Sequence, residues 1–115
     1  MAKQINSISE NIDNVKQWAS VRGIYESGDP ITQLAKLLEE NGELARGLLK
    51  KDLPLITDSI GDIIVVLINL TELVNIQYSE QTGGSLDLEF CLQCAWDEIK
   101  DRKGKMKNGT FVKED

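Results

Sequence analysis

The chain has no histidine and only two cysteines. These stand together, Cys91 and Cys94 in FCLQCAW, and a lone CxxC without histidine cannot complete a structural zinc site from one subunit. A redox role for the pair needs a thioredoxin-like βαβ setting, which the sequence lacks. Both read instead as reduced thiols packed on a helix. Basic residues are outnumbered, 13 against 19 acids, for a net charge of -6 and a pI of about 4.7. There is no basic stripe, which argues against duplex-DNA binding. MAKQINSISEN has no apolar core of signal-peptide type. The longest apolar run, IIVVLINL (63–70), is flanked by Asp62 and Glu72 and is too short to span a bilayer. These absences predict a cytoplasmic protein that engages neither nucleic acid nor membrane.

What is present suits one globular domain over 1–115, with about 104–115 as a C-terminal tail. The chain has 115 residues, 41% of them hydrophobic and 28% charged. No repeat or low-complexity segment appears, and four helices account for most of the length. In the first, over 4–21, Ile5, Ile8, Ile12, Val15, Trp18 and Ala19 recur at three- and four-residue steps. The second opens at Asp29-Pro30, an N-cap followed by proline at the first helical position, and runs to about 49. Pro54 opens a third helix reaching about 78, apolar nearly all round and so expected to be the buried central one. Its β-branched stretch 63–66 also fits a strand, but the pattern continues without a turn signal. Ser85 is expected to cap a fourth helix, with Arg102 and Lys103 in its last turn and Gly104 ending it. The tail holds Asn108-Gly109, which fits a small hairpin or a loose end. The apolar third helix needs more cover than three partners supply, so a homo-oligomer is expected.

Acids interrupt the two middle helices. Positions three and four apart share a helix face, so Glu40 and Glu43 are neighbours, and Asp62 lies over Asp58 and Ser59. If the helices pack antiparallel, these acids converge, and such a cluster needs a cation. Magnesium, a hard ion that bridges a few carboxylates to phosphate oxygens, fits. The alternative is a solvated acidic face.

The segment Glu39-Glu40-Asn41-Gly42-Glu43, followed after a spacer by Ser59-Ile60-Gly61-Asp62, resembles the EExxE…ExxD signature of the MazG-type nucleotide pyrophosphohydrolases, an all-α family. WASVRG (18–23), the stretch 33–43, IGDIIVVLINL and EIKDRKGKMKNGTFVK are similar to compact MazG-like proteins of phages and bacteria, so the resemblance covers nearly the whole chain. It implies a four-helix MazG-like bundle, assembled as a homodimer or homotetramer. The implied activity is hydrolysis of a (deoxy)nucleoside triphosphate to monophosphate and pyrophosphate, serving nucleotide-pool control or house-cleaning. The implied cofactor is Mg2+, or Mn2+ in its place. Glu40, Glu43 and Asp62 would be metal ligands, and Glu39 would bind or orient water.

Two positions depart from the family. Ser59 replaces the glutamate of ExxD, and Asp58, which shares a face with Asp62, is the residue able to replace it. Asp97 stands where related sequences often have asparagine, which could both donate and accept hydrogen bonds with a base or sugar, whereas aspartate only accepts. Lys100, Arg102 and Lys103 form the candidate phosphate clamp, or complement the helix dipole. They could act on a neighbouring subunit's acids. Lys36 is either a partner of Glu40 or a phosphate contact. Trp18 is either a base-stacking platform or core, and Asn69 either a satisfied buried amide or a pocket hydrogen-bonder. Phe90, Cys94 and Trp96 are assigned to packing. Two rival readings remain: a catalytically decayed relative that binds nucleotides or partners, and an acidic helical protein imitating nucleic-acid phosphates. The second needs acids spread over the outside, whereas Asp58 and Asp62 fall in the helix expected to be most buried.

Overall fold

A computed structural model describes residues 3–114, and the chain is mostly helical. Helix α1 spans Ile8–Val21 and starts later than its apolar stripe suggests. Ser7 accepts a hydrogen bond from the Glu10 backbone N–H (3.1 Å), and Glu10 accepts one from the Ser7 backbone N–H (3.1 Å). This capping box fixes the start, and Ile5 is left outside the helix, 84% exposed. A left-handed Gly23 (φ 78°) separates α1 from the one-turn helix α2 (Ile24–Ser27).

Helix α3 (Pro30–Lys50) begins as the Asp29-Pro30 signal predicts, with Asp29 accepting from the Thr32 N–H at 2.9 Å. Helix α4 (Leu53–Gln77) is capped by Asp52 and carries its proline in the first turn. The two are joined by a short turn with Lys51 left-handed (φ 56°), and they make the main interface of the molecule. They run antiparallel in close contact: a Cβ on Gly47 would lie 3.1 Å from Ile56 Cγ1 and 3.2 Å from the Ile56 backbone nitrogen. Helix α1 and α2 pack on α4, and Lys16 of α1 pairs with Glu72 of α4 at 3.2 Å.

Helix α4 is only partly covered. Val66, Ile68 and Leu73 are buried with Ser59 and Asn69, yet Ile60, Ile64 and Ile76 are exposed. It is therefore not buried on all sides within one chain. By length and composition its 25 residues are sufficient to cross a membrane, which the run 63–70 alone is not.

After α5 (Ser79–Thr82), Ser85 does not cap the next helix; its hydroxyl donates to the Thr82 carbonyl at 2.7 Å. Asp87 is the cap, accepting from the Phe90 N–H at 2.8 Å, and opens α6 (Leu88–Ile99). This helix ends at Ile99, so Arg102 and Lys103 lie beyond it rather than in its last turn. The tail is a hairpin. Strand β1 (Gly104–Lys107) pairs antiparallel with β2 (Thr110–Lys113), Gly104 facing Lys113 and Lys107 facing Thr110. Asn108 and Gly109 have φ of 52° and 80°, the two positive values a type I′ turn requires.

Among the described residues, α6 touches only α4 and the hairpin strands touch only each other. No residue of α6 is buried; Cys91 is half-buried and Cys94 exposed, both as free thiols. Phe90 and Trp96 are likewise about half exposed (49% and 54%) and do not pack as expected, because among the described elements only α4 touches that helix. The radius of gyration is 16.8 Å, against about 13 Å for a compact chain of this length.

The α3–α4 contact predicts opposite effects for two glycines of α3. Gly47→Val, which pushes a branched side chain into Ile56, should lower unfolding free energy by about 1–3 kcal/mol. Gly42→Ala, where a Cβ meets nothing within 4 Å, should raise it by up to about 1 kcal/mol through helix propensity. Urea midpoints at unchanged slope measure both.

Candidate functional site

Antiparallel packing from the Gly47–Ile56 contact carries α3 and α4 past each other in register. On α3, Gln33, Lys36 and Glu40 fall on one stripe; on α4, Asp62, Val66 and Asn69 do. Both stripes face one cavity of about 270 Å3, closed by Trp18 of α1, Ile24 of α2 and Val65 of α4. A more apolar cavity of about 330 Å3, between α1 and α4 around Ile12, Ile64 and Ile68, has no titratable lining residue.

The acids meet across the two helices. Glu40 is half-buried, and its carboxyl is held above the ordinary carboxylate range. Burial is the largest cause; the charges of Asp62, Glu39 and Glu43 add to it, and Lys36 opposes it. The Asp62 charge thus acts on Glu40 as a like charge, with Lys36 opposing it. Asp62 is exposed, as are Glu39 and Lys36. The expectation that the α4 acids are buried does not hold: Asp58 and Asp62 are both exposed, towards the N-terminal end of a helix whose buried residues lie mostly further along.

The remaining candidates divide. Glu43 is half-buried and its carboxylate is paired with Arg46 on its own helix. Asp58 is exposed and does not line the cavity, while Ser59 is 1% exposed. Asp97 pairs with Lys100 at 3.5 Å and accepts from Gln93 at 3.0 Å. Arg102 pairs with Glu98 at 3.1 Å, and the Lys103 carbonyl accepts from the Glu114 N–H at 2.8 Å. None of these four C-terminal residues lines the cavity. Trp18 does, at 45% exposure, with the Arg22 guanidinium 4.5 Å from its ring centroid. Asn69 lines it too, 4% exposed, its Oδ1 accepting from the Tyr25 hydroxyl at 2.8 Å.

Among the described residues, no three acids or cysteines gather closely enough to hold a metal ion by themselves. Magnesium does not require three: it is commonly held through one or two carboxylates, with waters and substrate phosphates completing the shell. Glu40 and Asp62 are two such carboxylates on one cavity.

Sequence reasoning missed Gln33, Ile24 and Tyr25. Gln33 carried a usable signal, since it lies seven residues before Glu40 and so on the same face. Tyr25 carried none, because α2 is too short for a periodic pattern.

No protein-family model matches the chain. It is 42% identical over 65 residues to a Haemophilus phage HP1 protein described as an "Uncharacterized 18.2 kDa protein in rep-hol intergenic region". The match takes in 56% of this chain and 40% of the phage protein, so the chain spans well under half of that relative's length. No solved structure matches.

The raised Glu40 pKa has a definite sign. The folded state holds that proton more tightly than the unfolded state, so the carboxylate's cost is absent at low pH and grows as pH rises through the folded pKa. Glu40→Gln cannot ionise. In chelator-treated protein it should melt about 1–4 °C above wild type at pH 7. The gain should shrink as pH falls through the carboxylate range; differential scanning calorimetry at several pH values checks this.

Proposed function

We propose that the chain is a magnesium-dependent nucleoside triphosphate pyrophosphohydrolase of the MazG-like kind. It would release monophosphate and pyrophosphate, in nucleotide-pool control or house-cleaning. The observation that carries this reading is the convergence of Glu40 and Asp62 on one cavity that also holds Lys36 and an indole face. Carboxylates to hold a cation, a lysine for phosphate and a flat aromatic for a base form a coherent set for a nucleotide. The similarity to a phage protein is in keeping with the compact phage type.

Mg2+, or Mn2+, would be held by Glu40 and Asp62 and would supply charge neutralisation at the triphosphate and a more acidic water. Glu43 would join that set on release from Arg46, and Glu39, exposed beside Glu40, would orient the water. Lys36 meets a phosphate oxygen as a point charge, and Trp18 carries the base.

We further propose a four-helix bundle completed by a second copy, as a cytoplasmic homodimer or homotetramer. The high radius of gyration and the uncovered apolar face of α6, with Phe90, Leu92, Trp96 and Ile99 all at least 47% exposed, favour this assembly. Lys100, Arg102 and Lys103 would then reach a neighbour's phosphate site, with Asp97 beside them. On this reading α4 is an interface helix rather than a membrane span, in keeping with its Lys16–Glu72 ion pair and its hydrogen-bonded Asn69.

A second reading, a catalytically decayed relative, is favoured by Ser59. It is buried where the family's glutamate belongs, and Asp58 lies outside the cavity.

Turnover of the common NTPs and dNTPs with magnesium, resolving monophosphate plus pyrophosphate from diphosphate plus phosphate, separates the two readings. The pyrophosphohydrolase yields the first pair, with Glu40→Gln reducing kcat/KM by about 100-fold or more. No turnover of any nucleotide identifies the decayed relative. Light scattering should give a mass at least twice the 12.8 kDa chain, and Trp96→Glu should move it towards one chain.

A further inference from the structure

The cavity has two rungs. Glu40 faces Asp62 across α3 and α4; seven residues further along each helix, in opposite chain directions, stand Gln33 and Asn69. Two helical turns separate the rungs by about 10.5 Å. The acid rung suits phosphates and a cation. The other rung carries two primary amides, 7% and 4% exposed, with the Trp18 indole on the same cavity.

The Asn69 amide is not free to choose its role. Tyr25 donates its hydroxyl hydrogen to Asn69 Oδ1 at 2.8 Å, across 44 residues of sequence. Burial and the Glu72 carboxylate push the Tyr25 phenol up to about 12, so it stays protonated at any working pH. With Oδ1 engaged by Tyr25, the group Asn69 has left to offer on the cavity it lines is Nδ2. An amide nitrogen only donates, so it pairs with an acceptor on a ligand and not with another donor.

Resting on the pyrophosphohydrolase reading, we propose that the Gln33–Asn69 rung is the base subsite, and that Tyr25 is a positioning residue that locks Asn69 as a donor. The site then takes bases with a carbonyl where the competing base carries an exocyclic amine. A uracil or hypoxanthine carbonyl accepts from Nδ2, whereas the amine of cytosine or adenine meets a second donor. A site built around a fixed donor rejects the wrong base because both groups are left unpaired. Phenylalanine at position 25 releases the amide to turn over and removes the discrimination without touching the acids.

The test is steady-state kinetics on two pairs that differ at the carbonyl or amine and at the ring nitrogen beside it, dUTP with dCTP and dITP with dATP, in magnesium, for wild type and Tyr25→Phe. The carbonyl member should lead by about tenfold or more in kcat/KM in at least one pair. In Tyr25→Phe the ratio should fall about tenfold, through KM, with kcat nearly unchanged. A merely structural role for Tyr25 would lower kcat/KM for both members alike. Asn69→Leu, similar in size, should abolish the preference and serves if Tyr25→Phe melts early. A wild-type preference for the amine member overturns the inference while leaving the pyrophosphohydrolase standing. So does a ratio unmoved in both folded variants. If wild type turns over nothing, that reading falls, and binding decides the subsite through Trp18 fluorescence with dUMP and dCMP. Tighter dUMP binding that Tyr25→Phe equalises upholds it; equal binding by wild type overturns it.

Discussion

The close approach of α3 and α4 at Gly47 governs the rest of the molecule. A Cβ on residue 47 would lie 3.2 Å from the Ile56 backbone nitrogen, tighter than ordinary van der Waals contact, so glycine lets the helices meet there without either giving way. Once that contact is made, antiparallel geometry leaves little freedom. Glu40 comes opposite Asp62 and Gln33 opposite Asn69, because each helix advances by the same rise per residue. A shift of one residue would rotate either stripe by about 100° and empty the cavity of its polar groups. The Asp29 and Asp52 caps, with a proline in each first turn, hold the starts of both helices.

That register sets like charges against each other, and folding alone does not relieve them. Glu40 is held above its ordinary pKa by burial and by three neighbouring carboxylates, with Lys36 the opposing charge. Facing a half-buried acid with others is unfavourable to its charged form. On the proposed reading, a divalent cation bridged to phosphate would relieve it. At the amide rung, Asn69 lines the cavity with Oδ1 taken by the Tyr25 hydroxyl and Nδ2 left to donate. On the proposed reading, a nucleotide with its metal would engage both rungs. The uncovered faces of α4 and α6 are a third unmet demand, for which a second copy of the chain is the proposed cover.

Much of the fold was legible because its signals are local. Asp29-Pro30, Pro54 and Asn108-Gly109 each fix a backbone geometry by their own sterics, and each marks the element it should. The starts of α1 and α6 were misplaced because several nearby residues can cap. Ser7 with Glu10, and Asp87 rather than Ser85, win by hydrogen bonds that composition does not rank. The pairing of Glu40 with Asp62 could be foreseen from spacing plus antiparallel packing. The position of Asp58 could not, since residues 58 and 59 differ by about 100° around the helix and either could have turned inward. Ser59 did. Tyr25 was invisible, because its partner lies 44 residues away.

The central claim is that Glu40 and Asp62 form a pair that needs a cation. Thermal unfolding across a magnesium titration, on wild type and on the Glu40→Gln/Asp62→Asn double variant, tests it most directly. A native site raises the melting temperature by mass action as the ion is added. The account predicts a wild-type melting temperature that climbs with magnesium, and a double variant that starts higher without the ion and does not respond to it. Parallel responses in the two proteins, or a wild type indifferent to magnesium, would contradict it.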